Sequence, residues 1–237
     1  IPKEARKSGS YSLVVLLHGY NSKKKIMHLM IPTVFDVPSV AKGLIAAGKM
    51  DPVIIAAPSQ TTSGKLWKDF ELDGFIKSVK TVLKTNLPGV DADETDVSVF
   101  GHSNAGCFGT GVDGVANKLN SIENTGTYVT LLGFIDTCAG ASMGNKMKNS
   151  VSESNYLFGV WQEARKGMAV SFAKSLGITQ TDPTCNKQKY SACYTDDYDK
   201  KIYIAKTSVM GKAFPYLGAH DAAVLWFAED AFLHYFS

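Results

Sequence analysis

The sequence holds no apolar run approaching the roughly 20 residues that a membrane-spanning helix needs. It contains no G-x-x-x-x-G-K-[ST], which removes the usual phosphate-binding loop. Its 5 histidines and 4 cysteines show no metal-ligand spacing, so neither a metal nor another cofactor is expected. Charge is sparse as well. Charged residues are 20% of the chain, and 25 Lys plus Arg against 22 Asp plus Glu leave +3 with no concentrated basic face, which argues against nucleic acid as a partner. Internal repeats and low-complexity segments are also missing.

What is present is ordinary globular composition. With 45% hydrophobic residues in 237, the chain is not disordered or collagen-like, and one core can form without a metal or disulfide staple. A single domain over residues 1–237 is predicted. The chain opens Ile1-Pro2-Lys3 rather than Met, as expected where a preceding segment has been removed. Cys185 and Cys193 flank a polar, aromatic stretch after Pro183 and read as a loop disulfide, which implies an oxidising compartment, secreted or periplasmic. Four reduced thiols in a cytoplasmic protein are the alternative, and the pairing of Cys107 with Cys138 is open.

Strands and helices alternate, which predicts an α/β fold with a mostly parallel central sheet and helices on both faces. Leu13 to Leu17 is continuously apolar, as a strand buried on both sides requires. Pro52 to Ala57, Val97 to Phe100, Tyr128 to Ile135 and Lys201 to Thr207 are further strands. Helices are predicted from Val37 to a glycine stop at Gly48 and from Leu66 to Lys84, and an amphipathic one from Leu225 to Phe236. The stretch 140–200 fits the alternation less well. It reads as a cap or insertion over one end of the sheet, with a helix from Tyr156 to Leu176.

Gly101-His102-Ser103-Asn104-Ala105-Gly106 directly follows a predicted buried strand. A sharp strand-to-helix turn of small residues exposes a serine at the carboxyl edge of a sheet, and the helix start favours developing negative charge. Leu16-Leu17-His18-Gly19-Tyr20 ends the first strand, and the backbone amides of Tyr20 and Asn104 are assigned to an oxyanion hole. His18 reads as structural. A serine nucleophile needs a base. His102 adjoins the serine and points away, His28 lies in a Lys- and Met-rich loop, and His234 sits on a helix face. His220, in the loop before the last helix, remains. Asp136, leaving a buried strand at the same edge, is the orienting acid. Asp196, Asp197 and Asp199 fall at the far end of the sheet, and Asp221 caps the last helix.

Leu17-His18-Gly19-Tyr20, Gly101 to Gly106 and Gly218-Ala219-His220-Asp221 together resemble the α/β-hydrolase superfamily, from residue 12 to the end. The segment from Ala41 to Lys84 is similar to the branch with feruloyl esterases, esterase D and polyhydroxyalkanoate depolymerases. The resemblance implies the α/β-hydrolase fold and a serine hydrolase with the order Ser103, Asp136, His220. The family usually carries its acid one strand later than Asp136.

The leading expectation is hydrolysis of a small or polymeric carboxylic ester through an acyl-enzyme. An amidase or peptidase using the same triad, acting on cell-wall or other extracellular polymers, and a binding protein that lost catalysis are the competing readings. Trp67, Trp161 and Tyr216 are candidates to line a substrate pocket, with a core or cap role the alternative for Trp161, and Lys23-Lys24-Lys25 could draw in an acidic substrate.

Overall fold

The computed structural model of the protein describes residues 8–19, 36–59, 67, 70–107, 129–148 and 156–237. The strands are β1 (Gly9–Leu17), β2 (Ile54–Ala56), β3 (Val90–His102), β4 (Val129–Ile135), β5 (Tyr156–Gln162), β6 (Gln180–Thr181), β7 (Tyr190–Thr195) and β8 (Lys201–Ala205). The helices are α1 (Val37–Ala46), α2 (Leu72–Asn86), α3 (Ala141–Met147), α4 (Lys166–Leu176), α5 (Thr207–Ala213) and α6 (Ala219–Tyr235). One eight-stranded sheet runs β2-β1-β3-β4-β5-β8-β7-β6. Its first six strands are parallel, and β7 and β6 close one edge antiparallel.

Two-sided burial explains the apolar runs. Along β1, Leu13, Val15 and Leu17 join a core with Val97, Val99, Phe134, Trp161, Leu72 and Phe172. Val14 and Leu16 point the other way, into a core with Phe100, Phe158, Val37 and the α6 residues Val224 to Ala228, Ala231 and Phe232. Helices therefore cover both faces, as the alternation predicted. No helix among the described residues is long and apolar enough to cross a membrane.

Three expectations need correction. Tyr156 to Gln162 is strand, not helix: Leu157 to Trp161 are buried without interruption because β5 pairs between β4 and β8. The stretch 140–200 therefore builds the middle and edge of the sheet, with α3 and α4 packed on one face, rather than a cap over its end. The last helix is not amphipathic over its first half, since Ala222 to Ala228 are all buried between the sheet and the neighbouring helices. It also starts earlier than expected. His220 stands in its first turn, where Asp221 is favoured by the positive helix end.

Strand register sets the site. Leu17 pairs with Gly101, His102 with Ile135, Ile135 with Val160, and Gln162 with Ala205, so the carboxyl ends of β1, β3, β4, β5 and β8 form one rim. Strand order reverses at β1 and β3, and in parallel sheets a ligand crevice opens outside such a point.

Beneath the rim, Gly133 of β4 lets two rings meet. A Cβ there would lie 2.4 Å from Phe100 Cδ1 and 2.5 Å from Phe227 Cζ. Replacing Gly133 by Ala is expected to cost about 1–3 kcal/mol through overpacking. Urea unfolding checks this, and an unchanged midpoint would mean the rings yield freely.

Candidate functional site

β3 passes at His102 into a short 3-10 turn, Ser103–Gly106. Ser103 has φ 55°, the left-handed region that a residue with a Cβ occupies only when its surroundings insist. Gly19, at the end of β1, crowds it closely: a Cβ on Gly19 would sit 2.6 Å from Ser103 Cβ and 3.2 Å from its Oγ. Only glycine lets the loop after β1 come this near the serine. His18 is buried, and its Nδ1 donates to the Gly19 carbonyl at 2.7 Å. Trp67 donates its indole N–H to the His18 carbonyl at 2.9 Å.

Asp136 ends β4 with φ 42°, a conformation aspartate tolerates better than most residues, and is fully buried. Its Oδ2 accepts from His220 Nδ1 at 2.6 Å and from Gln162 Nε2 at 2.6 Å. Its Oδ1 accepts from the Gln162 backbone amide at 3.1 Å. Arg165 Nε adds an ion pair at 3.6 Å. With Nδ1–H committed to the carboxylate, Nε2 of His220 carries the lone pair and can take a proton.

His102 braces this pair. Its ring packs on that of His220 with centroids 4.5 Å apart, and its Nε2 donates to the His220 carbonyl at 3.2 Å. Burial, with a smaller contribution from His220, pushes the His102 imidazole down from its ordinary 6.5 to about 3, so the ring is neutral.

The acid loop and the serine turn are fastened together. Cys107, just after the turn, is disulfide-bonded to Cys138, two residues past Asp136, and Trp161 donates to the Thr137 carbonyl at 2.9 Å. The Cys185–Cys193 pair expected from the sequence is the second disulfide.

The rim thus gathers Ser103, Asp136 and His220, with the Asp–His bond formed. Among the described residues no hydrogen bond joins the Ser103 hydroxyl to His220; such contacts tighten when substrate binds. Asn104 lies at the start of the 3-10 turn, where backbone N–H groups lack partners within the turn. Tyr20, His28 and Lys23 to Lys25 lie outside the described residues.

Two expected pocket residues are otherwise employed. Trp67 and Trp161 are buried, and each indole N–H holds a loop carbonyl, because a buried indole needs an acceptor. Tyr216 is 70% exposed, on the turn before α6. Sequence reasoning missed Gln162 and Arg165, which become visible only once Leu157 to Trp161 is read as a strand ending at the rim.

Among the described residues, one group could hold a cation: ligand-type atoms of His102, His220 and Asp221 lie within 4.8 Å of one another. Asp136 behind His220 would suit an outer partner of a metal-bound imidazole. His102 has already turned its Nε2 to the His220 carbonyl.

No protein-family model matches the chain, and no curated protein matches it. A crystal structure of an uncharacterised protein from Capnocytophaga ochracea is similar, with a TM-score of 0.51 at 15% identity, covering 94% of this chain and 56% of that one. The chain thus spans just over half that protein's length, and the likeness is one of fold.

Two outcomes follow from the bracing. Between pH 6.5 and about 3 the unfolded chain binds a proton at His102 that the folded chain does not. Stability should therefore rise with pH through this window and be lost as pH falls through it. Melting temperatures across the window should slope less in His102→Gln than in the parent, and equal slopes would remove His102 as a cause. Opening Cys107–Cys138, 31 residues apart, should cost about 4 kcal/mol, against about 2.5 kcal/mol for Cys185–Cys193, 8 apart. Denaturation of the two double-alanine variants would show equal or reversed losses if the rim disulfide were not a brace.

Proposed function

We propose that the protein is a serine hydrolase of the α/β-hydrolase type that cleaves a carboxylic ester through an acyl-enzyme. The observation that carries the reading is the 2.6 Å bond from His220 Nδ1 to the buried carboxylate of Asp136, on the rim where Ser103 is held at φ 55°. Six parallel strands, with the serine after β3 and the histidine beyond β8, support it further. The acid lies one strand earlier than the family usually has it. At the usual place stands Glu163, whose Oε2 accepts from the Thr207 amide at 3.2 Å.

In this mechanism the Ser103 Oγ attacks the ester carbonyl as Nε2 of His220 takes its proton. Asp136 stabilises the imidazolium and keeps its ring oriented. The amide of Asn104, with a second donor assigned to Tyr20, receives the oxyanion, each donor worth about 3 kcal/mol. The tetrahedral intermediate collapses, and His220 delivers its proton to the leaving alcohol. Water, deprotonated by His220, then releases the acid and restores Ser103.

The two disulfides favour an oxidising compartment, secreted or periplasmic, which suits extracellular and polymeric substrates. Matched ester and amide substrates would separate an esterase from an amidase or peptidase.

Ser103→Ala should abolish turnover of a short p-nitrophenyl ester with an unchanged circular dichroism spectrum. Asp136→Asn should lower kcat by on the order of 10³–10⁴. A fluorophosphonate should label the parent at Ser103. A parent that neither turns over nor labels would overturn the reading, and activity lost to a chelator and restored by zinc would shift it to the His102, His220 and Asp221 group.

A further inference from the structure

Arg165 is only loosely engaged where it stands, its ion pair to Asp136 leaving its hydrogen-bond donors unused among the described residues. It closes the 3-10 turn Glu163–Arg165 that leads from β5 into α4, on the rim that carries Ser103, Asp136 and His220. A cation at the start of α4 opposes the helix dipole, so helix stability does not call for it. The acid of its own turn, Glu163, is engaged with the Thr207 amide. Among the described residues its one ionic partner is Asp136, at 3.6 Å through Nε, beyond hydrogen-bond length. The Asp136 oxygens already accept from His220 and twice from Gln162.

A guanidinium carries five N–H donors in a planar fork. Among the described residues none of those of Arg165 donates a hydrogen bond to the protein, and the side chain is 30% exposed. The group is therefore half withdrawn from water, next to the acid–base pair, and open to a partner that the described residues do not supply. Its charge reaches His102, where it contributes to keeping that ring neutral. β5 lies two strands from β3, a separation of roughly 10 Å. A carboxylate meets such a fork through two parallel hydrogen bonds, which fix direction as well as charge.

We propose that Arg165 anchors a carboxylate of the substrate, so that the esters cleaved at Ser103 carry an acidic group several carbons from the scissile carbonyl. The inference rests on the hydrolase reading and narrows its substrate class. Arg165 is here a binding residue, and its fork sets specificity without entering the bond changes at Ser103.

The test compares the p-nitrophenyl monoesters of adipate and suberate with their methyl-capped counterparts, in the parent, Arg165→Lys and Arg165→Met. The parent should prefer the acid esters by about tenfold or more in kcat/KM. Arg165→Met should abolish that preference mainly through KM, and Arg165→Lys should keep part of it. Equal loss of kcat on both ester types would make Arg165 only a positioning residue for Asp136 and overturn the proposal, as would a parent without preference. Binding of free adipate to Ser103→Ala, followed by calorimetry, gives a readout independent of turnover. Binding that Arg165→Met removes from the Ser103→Ala background supports the anchor even if no ester is cleaved, whereas binding indifferent to Arg165 refutes it. A parent unreactive to fluorophosphonate would sink the hydrolase reading instead.

Discussion

A carboxylate sealed from water has to be satisfied inside the protein, and the organisation of the rim follows from how Asp136 meets that demand. Desolvating one ionised group costs several kcal/mol unless hydrogen bonds and opposite charge offset it. Asp136 obtains both Gln162 donors, the His220 imidazole and the nearby Arg165 charge. Gln162 and His220 lie 26 and 84 residues further along the chain. The ends of β4 and β5 and the first turn of α6 are thereby tied to one point. The same bond selects the His220 tautomer, so electrostatic satisfaction and readiness for proton transfer are a single arrangement.

Around that point the backbone is held in conformations that side chains disfavour. Among the described residues Trp67, Ser103, Asp136 and Asp199 have positive φ without being glycine, and Ser103 and Asp136 stand on the rim itself. Such residues cost about 1–3 kcal/mol each and persist only where neighbours over-determine them. The neighbours can be named. The Trp67 indole holds the loop after β1 by the His18 carbonyl, the Trp161 indole holds the acid loop by Thr137, and Cys107–Cys138 joins the serine turn to that loop. Gly19 contributes by what it lacks, since any Cβ would strike Ser103.

Much of this was legible in the sequence, for physical reasons. Leu13 to Leu17 is apolar without alternation because both faces of a parallel sheet are covered, Val97 to Phe100 is broken only by the buried Ser98, and their ends locate the rim. The turn of small residues marked Ser103, and a lone acid after an apolar run marked Asp136. β5 escaped because its short apolar run precedes the apolar face of α4, and over such a window strand and helix periods cannot be told apart. With β5 unread, Gln162 and Arg165 had no place. Trp67 misled for another reason, while the core role open for Trp161 is the one it has. A large ring near a candidate site suggests a pocket wall, whereas a buried indole must spend its N–H on an acceptor, and here the acceptors are loop carbonyls. The face of α6 was misjudged because periodicity reports what a helix shows to water, and its first half shows almost nothing.

The placement of the acid and the openness of Arg165 are connected. Had the orienting carboxylate stood at the end of β5, that strand end would have been committed to His220. With Asp136 on β4, one strand from the serine, the end of β5 supplies the Gln162 donors that hold the acid and is followed by a guanidinium that meets it only at 3.6 Å. Glu163, directly after β5, fastens the start of α5. Under the proposed function, an acid one strand nearer the serine leaves a loosely held cation at the rim without unpairing the buried carboxylate. In the proposed enzyme the departure from the family's pattern and the anchor for an acidic substrate are two results of one displacement.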